Sequence, residues 1–392
     1  MIPIQEALSF VLANVPKMST ERVPLLESKG RVLAEDILAD MDMPPFRKSA
    51  MDGYACRRED LENELSLLEV IPAGQSPTKT IGLNQCAKIM TGAEVPEGAD
   101  CVFMVEKSSQ PSEVTVRFVG ERTDNNICEK GEDIQEGDIV AKKGALIGSA
   151  EFAVLAKMGA SHPLVAARPK VGIISTGSEL VDVSQKPARG QIRDSNGPQL
   201  FAQIIEAGGV PNRYGIVVDE YEETEKNITK ALEENDLVLI SGGSSMGDWD
   251  FVPEILKNSG LEILFEKIAI KPGKPTVFAA SEKVSCFGLP GNPVSSFVIF
   301  ELFVKPWLRK AVGNQRKPFR IPMTLTGRVK RKSTVRQSFI PVAVQSEGTC
   351  TPVRYLGSAS INAFTEADGL VSFPGDATVM EAGEVVTVHL LR

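Results

Sequence analysis

Val171-Gly172-Ile173-Ile174-Ser175-Thr176-Gly177-Ser178-Glu179 is a short apolar run ending in hydroxyls, a glycine and a carboxylate. Leu237-Val238-Leu239-Ile240-Ser241-Gly242-Gly243-Ser244-Ser245-Met246-Gly247-Asp248-Trp249-Asp250 repeats that order. A third copy, Cys286-Phe287-Gly288-Leu289-Pro290-Gly291-Asn292-Pro293-Val294-Ser295, has the turn without the acid. Such unbroken apolar runs, bounded by turn residues, read as strands of a parallel sheet buried on both faces. After each strand, glycine supplies positive φ, and hydroxyls add donors where backbone N–H groups approach a ligand. Three such turns at the carboxyl ends of strands predict an open α/β sheet that binds a nucleotide-like ligand there.

Outward from these turns, Lys170 to about residue 312 alternates strands (171–174, 210–217, 237–240, 262–270, 284–288) with helices (196–207, 221–234, 250–258, 293–311). Earlier in the chain, short β-like runs occur at Ser66–Val70, Ala87–Met90, Cys101–Val105, Val114–Val119 and Asp138–Val140. Helical spacing marks 2–15, ended by Pro16, then Leu25–Leu33, and later Glu151–Lys157, closed by Gly159. Beyond Pro318, alternating runs near 321–329, 338–344 and 384–391 predict a small barrel or sandwich. The expected fold class is multidomain α/β: an open, mostly parallel α/β domain, an inserted β domain, a helical connecting domain and a C-terminal barrel-like domain. The expected boundaries are 1–45 with 141–168 (helical), 46–140 (inserted β), 169–315 (α/β) and 318–392 (C-terminal β).

The 392 residues, 42% hydrophobic and 24% charged, are those of an ordinary soluble protein of several domains. A formal charge of −8 argues against a nucleic-acid surface over the whole molecule. No apolar run reaches the roughly 18 residues of a membrane span, and Met1-Ile2-Pro3-Ile4-Gln5-Glu6-Ala7 is not a secretory signal. Cys56, Cys86, Cys101, Cys128, Cys286 and Cys350 are scattered without a CxxC pair, as expected of thiols in a reducing cytoplasm. Only His162 and His389 occur, which argues against a His-based zinc site and a Ser-His-Asp triad.

Glu179, Asp219, Asp248 and Asp250 each follow a predicted strand on one edge of the sheet. Exposed surface acids account for any one of them, but four together repel unless a cation or polar ligand lies between them. Hard oxygen donors of this kind favour Mg²⁺ over zinc. Lys267, Lys271 and Lys274 follow in Glu266-Lys267-Ile268-Ala269-Ile270-Lys271-Pro272-Gly273-Lys274-Pro275. On one extended strand Lys267 and Lys271 share a face. They read either as solvated surface lysines or as a site for an oxyanion and a phosphorylated ligand. Ser49-Ala50-Met51-Asp52-Gly53-Tyr54 is equally an ordinary Asp-Gly turn or a functional carboxylate. Met90-Thr91-Gly92-Ala93 offers a hydroxyl to an anion or simply ends a strand, and Lys130-Gly131-Glu132-Asp133 is a similar acidic turn.

Read in order, these motifs resemble those of the molybdopterin molybdenumtransferase family (MoeA), related to the gephyrin E domain. The residues are Pro45-Phe46, Ser49-Ala50-Met51-Asp52-Gly53-Tyr54, Ile89-Met90-Thr91-Gly92-Ala93, Gly131-Glu132-Asp133-Ile134 and Ser175-Thr176-Gly177-Ser178-Glu179-Leu180. They continue with Asp194-Ser195-Asn196, Ser241-Gly242-Gly243, Ala269 to Pro275 and Gly288 to Ser295. The resemblance spans essentially the whole chain. It implies an elongated, cytoplasmic homodimer that inserts molybdate into adenylylated molybdopterin and releases AMP, with Mg²⁺ assisting. Each active site would be shared between two subunits. Further partners would be the preceding adenylyltransferase and the acceptor molybdoenzymes.

The implied catalytic residues are Asp52, Asp133, Glu179, Asp250, Lys267 and Lys271, with Glu179, Asp219 and Asp250 toward the metal. Implied ligand-binding residues are Thr91, Ser175, Thr176, Gly177, Asp219, Ser241, Gly242, Gly243, Lys274, Pro290, Gly291, Asn292, Arg336 and Ser358. The chain departs from the family at Val335-Arg336-Gln337-Ser338-Phe339, where Arg-x-Asp/Glu-Phe-x-Arg is usual, and at Ile127-Cys128-Glu129-Lys130, where relatives often carry arginines. The alternatives are the adenylyltransferase that acts one step earlier, whose single domain resembles 170–312, and a gephyrin-like scaffold without catalysis.

Overall fold

The computed structural model describes residues 1–242, 251–316 and 318–391. Gly243, Asp248 and Asp250 therefore lie outside the described residues. The chain forms two compact units, one of Met1–Ala34, Gly144–Gly148 and Pro163–Arg392, the other of Glu35–Lys143 and Ser149–His162.

In the first unit the predicted alternation is present as β1 (Lys170–Thr176), α1 (Asn196–Glu206), β2 (Val210–Val217), α2 (Tyr221–Glu234), β3 (Leu237–Ser241), α3 (Val252–Asn258), β4 (Glu262–Phe265), β5 (Val277–Ala280), β6 (Ser285–Leu289) and α4 (Pro293–Ile299). The strand order is β2-β1-β3-β6-β5-β4. The first four strands run parallel, and β5 and β4 add an antiparallel edge. Side chains alternate along each strand, so both faces need cover. Val171, Ile173, Leu237 and Leu239 share a core with Leu200 and Ile204 of α1 and Val298 of α4. Ile174, Val238 and Ile240 share the opposite one with Ile228 of α2 and Ile255 of α3. Connections leave β1 toward β2 on one side and reach β3 on the other, which opens a crevice at the carboxyl ends of β1 and β3.

The helix expected over 293–311 is interrupted. A π-helical stretch, Phe300–Val304, separates α4 from a last helix, Lys305–Ala311. Pro306 lacks the N–H that would continue the regular ladder. The strand expected over 262–270 is also wrong. It stops at Phe265, and Ile270–Lys271 pairs instead with Gln337–Ser338. Lys267 and Lys271 thus do not share a face of one strand. Leu25–Leu33 is not a helix but a single turn, Leu25–Glu27, behind Pro24. Gly30 then takes a φ of 76°, and Val32 and Leu33 bridge to Leu146 and Val165 in extended form.

Five further strands close a barrel: β7 (Arg320–Leu325), β8 (Gln337–Val344), β9 (Thr349–Pro352), β10 (Gly369–Ser372) and β11 (Val385–Leu390). The ring runs β8-β9-β7-β11-β10 and returns to β8, around Leu325, Val342, Cys350, Val371, Phe373 and Val388. His389 sits on β11, where burial, and then the charges of Arg320, Lys305 and Arg309, push its pKa from 6.5 down to about 4. The folded state thus holds a neutral imidazole that the unfolded chain protonates more readily. Its stability contribution is complete above about pH 6.5 and is lost as pH falls toward 4. After allowance for solvent screening the loss should be about 1–2 kcal/mol. Denaturant titrations at pH 7.5 and 4.5 should show His389→Asn losing less stability than the parent. Equal losses would mean that His389 does not drive the pH dependence.

The second unit holds a six-stranded sheet in the order Cys101–Met104, Gly53–Cys56, Gln85–Ile89, Glu64–Ile71, Thr115–Phe118 and Ser108–Ser112. Gly53, read from sequence as half of a turn, opens a central strand. A Cβ there would stand 2.1 Å from the Phe103 carbonyl oxygen, so only glycine lets the two strands approach.

Candidate functional site

A cavity of about 580 Å³ opens at the carboxyl ends of β1 and β3. Thr176 and Gly177 reach it from β1, Ser241 and Gly242 from β3, and Gly291 and Asn292 from the turn after β6. These three turns are the ones singled out in the sequence, and they are stitched together. Gly242 N–H donates to Leu289 O at 3.3 Å. Asn196 Nδ2, at the start of α1, donates to Ser241 Oγ and to Gly291 O, each at 2.7 Å. Gly242 has φ +102°, and a Cβ on it would stand 2.2 Å from the Thr176 carbonyl oxygen. Alanine is therefore excluded both by backbone conformation and by space.

Three carboxylates line the same cavity: Glu179, Asp219 and Asp194, the last engaged by Ser175 and the start of α1. Burial raises the pKa of Asp219, and the charge of Glu179 raises it further, against a hydrogen bond from Ser178 N–H that lowers it. The two acids therefore sense each other, and a cation between them would relieve the repulsion. Mg²⁺ is commonly held by one or two carboxylates together with waters and substrate phosphate, and this pair fits that donor set. Among the described residues no group of three or more His, Cys, Asp or Glu side chains could hold a metal ion.

Other candidates lie apart from the cavity wall. Ser175 is buried and donates to Asp194 Oδ2 at 2.9 Å. Asp194 also accepts Gly197 N–H at 2.9 Å and has the Arg213 guanidinium at 3.7 Å. Ser175 thus anchors the start of α1 rather than facing a ligand. Lys267, Lys271, Lys274, Arg336 and Pro290 are not among the cavity's lining residues. The lysine segment forms a separate edge: its backbone bonds to Ile2 through Lys267 O and Ala269 N–H, and Gln337 N–H donates to Ala269 O at 2.8 Å. Arg336 therefore runs beside the lysine strand. Ser358 approaches the cavity by its backbone, since Val294 N–H donates to Ser358 O at 3.0 Å while the next residue, Ala359, lines the wall.

Within the second unit, Thr91 donates to Asp52 Oδ1 from its N–H at 2.7 Å and from its hydroxyl at 2.8 Å. These two bonds, the backbone one first, hold the Asp52 pKa below the usual carboxylate range. Asp133 forms an exposed ion pair with Lys157 at 2.9 Å. Asn196, Asp194 and the cavity-lining Arg193 were given no role from the sequence. The available signal was a polar triplet, Asp194-Ser195-Asn196, immediately before a helical pattern.

The chain matches the MoeA N-terminal region (domains I and II) over residues 2–159, a probable molybdopterin binding domain over 172–310, and the MoeA C-terminal region (domain IV) over 324–391. It is 36% identical over 400 residues to the molybdopterin molybdenumtransferase of Staphylococcus epidermidis, with 99% of this chain and 95% of that protein covered. The Bacillus subtilis molybdopterin molybdenumtransferase is 36% identical over 406 residues, with 100% of this chain and 94% of that protein covered. The crystal structure of the molybdopterin biosynthesis MoeA protein from Pyrococcus horikoshii OT3 superposes with a TM-score of 0.87 at 32% identity, covering 100% of both chains.

Proposed function

Because the chain belongs to the molybdopterin molybdenumtransferase family over its full length, we propose that it inserts molybdate into adenylylated molybdopterin and releases AMP, with Mg²⁺ assisting. It is an enzyme, a transferase of molybdenum-cofactor biosynthesis. The observation that carries the finer reading is the cavity at the switch between β1 and β3, where open glycine turns meet the Glu179–Asp219 pair.

The glycine turns would present backbone N–H groups to the pyrophosphate. Glu179 and Asp219 would hold Mg²⁺, which when bound neutralises charge on the leaving phosphate. Lys267, Lys271, Lys274 and Arg336 would hold molybdate oxygens through charge-assisted hydrogen bonds. Asp52 with Thr91, and Asp133, belong to the proposed set in the second unit, and Asp250 of the first unit joins the set by kinship. The dithiolene sulfurs of the substrate, not protein thiols, would take the molybdenum. The same kinship leads us to propose a homodimer.

Incubation with adenylylated molybdopterin, molybdate and Mg²⁺ should release AMP in a molybdate-dependent manner. Pyrophosphate formed from ATP and molybdopterin would instead indicate adenylylation. Lys271→Gln should raise the molybdate needed for half-maximal release about tenfold, equivalent to roughly 1.4 kcal/mol. An unchanged molybdate titration would make Lys271 a surface lysine.

A further inference from the structure

Two buried polar atoms of the cavity wall, Thr176 Oγ1 and Asn196 Oδ1, have no hydrogen-bond partner among the described residues. Buried polar atoms are nearly always paired, so an unfilled one on a residue that lines a cavity points to a ligand atom there. Asn196 is the more informative of the two because its amide orientation is fixed. The Gly291 carbonyl can only accept, so the group 2.7 Å from it must be the NH₂, and that NH₂ also reaches Ser241 Oγ at 2.7 Å. A flipped amide would set two acceptors against each other. Oδ1 is thus held as an acceptor with its donor missing.

An acceptor rejects phosphate, molybdate and thiolate, which are acceptors themselves. It calls for N–H. Building on the function proposed above, we infer that Asn196 Oδ1 accepts a hydrogen bond from the exocyclic amine of an aminoheterocycle of the substrate. Asn196 is then a recognition residue that separates the nitrogenous ring end of the ligand from its anionic groups. Its placement suits this, since one side chain ties α1 to the turns after β3 and β6 and fails if any of them shifts.

Adenine and pterin both carry such an amine, and paired probes distinguish them. One pair is AMP and purine riboside 5′-monophosphate, which lacks the amine. The other is 6-carboxypterin and 6-carboxylumazine, which lacks the 2-amino group. Binding would be measured by calorimetry to the full-length protein. In one pair the parent should prefer the amine-bearing member by roughly tenfold, and Asn196→Ala should bring that ratio to about one. Ser241→Ala, which leaves Oδ1 and the Gly291 bond in place, should weaken both members alike and keep the ratio. If Asn196→Ala weakens both members of each pair equally, Asn196 is only a strut and the inference is overturned. Binding without preference in either pair overturns it too, while leaving the proposed function standing. Failure of the parent protein to bind any of the four probes would remove the functional reading itself, and the inference with it.

Discussion

Glu179→Gln is expected to lower AMP release at least a hundredfold while leaving the unfolding midpoint unchanged or slightly raised. The substitution removes one charge at nearly constant volume. It takes from the cavity an oxyanion that would hold Mg²⁺, and losing one electrostatic contact to a transition state costs about 10²–10³ in rate. It also removes the like charge that Asp219 senses, so the Asp219 pKa should fall somewhat while burial keeps it raised. Opposite signs for activity and stability are what a site under electrostatic strain gives, whereas a scaffold acid would cost stability or nothing. Undiminished AMP release would exclude Glu179 from the chemistry.

The largest stability effect is expected at Lys305. Its ammonium lies 2.7 Å from Glu301 Oε2, with Glu301 4% exposed and Lys305 15% exposed. It also donates to Leu391 O at 3.0 Å, while Gln203 Nε2 reaches Glu301 Oε1 at 3.0 Å. Lys305→Met would leave a buried carboxylate without its close partner, which typically costs 3–5 kcal/mol. Arg309 also interacts with Glu301, so the loss should sit near the lower end, about 3 kcal/mol. Adding Glu301→Leu to Lys305→Met should recover most of it. A single variant within about 1 kcal/mol of the parent in denaturant unfolding would refute a buried pair.

Much of the α/β domain was legible because it rests on local signals. The runs at 171–174 and 237–240 are apolar throughout, and a strand covered on both faces requires that. The helices over 196–207 and 221–234 came within a residue of their ends because their apolar period is set by the faces they bury. Failures came where a partner distant in sequence decides the conformation. Ile270–Lys271 leaves the α/β sheet because Gln337–Ser338 is available to pair with it. Val277–Ala280, Thr349–Pro352 and Gly369–Ser372 are four-residue strands among turn residues, too short for a period to stand out. The cavity was legible as three turns, two of them followed by acids, but the role of Asn196 was not. Its value lies in bonds to residues 45 and 95 positions away.

Those long-range bonds bear on the order in which the chain is made. The cavity wall at α4 is tied through Val294 to Ser358, and the lysine edge lies between Ile2 on one side and Gln337 on the other. A growing polypeptide can therefore complete β1, β3 and their acidic turns well before the two ties that hold the wall and the lysine edge exist. Contacts of such sequence separation close last and slowly. A chain cut short before residue 337 would keep its carboxylates but lose both ties. The late barrel thus acts as a seal of completion, withholding a fully braced site from unfinished chains.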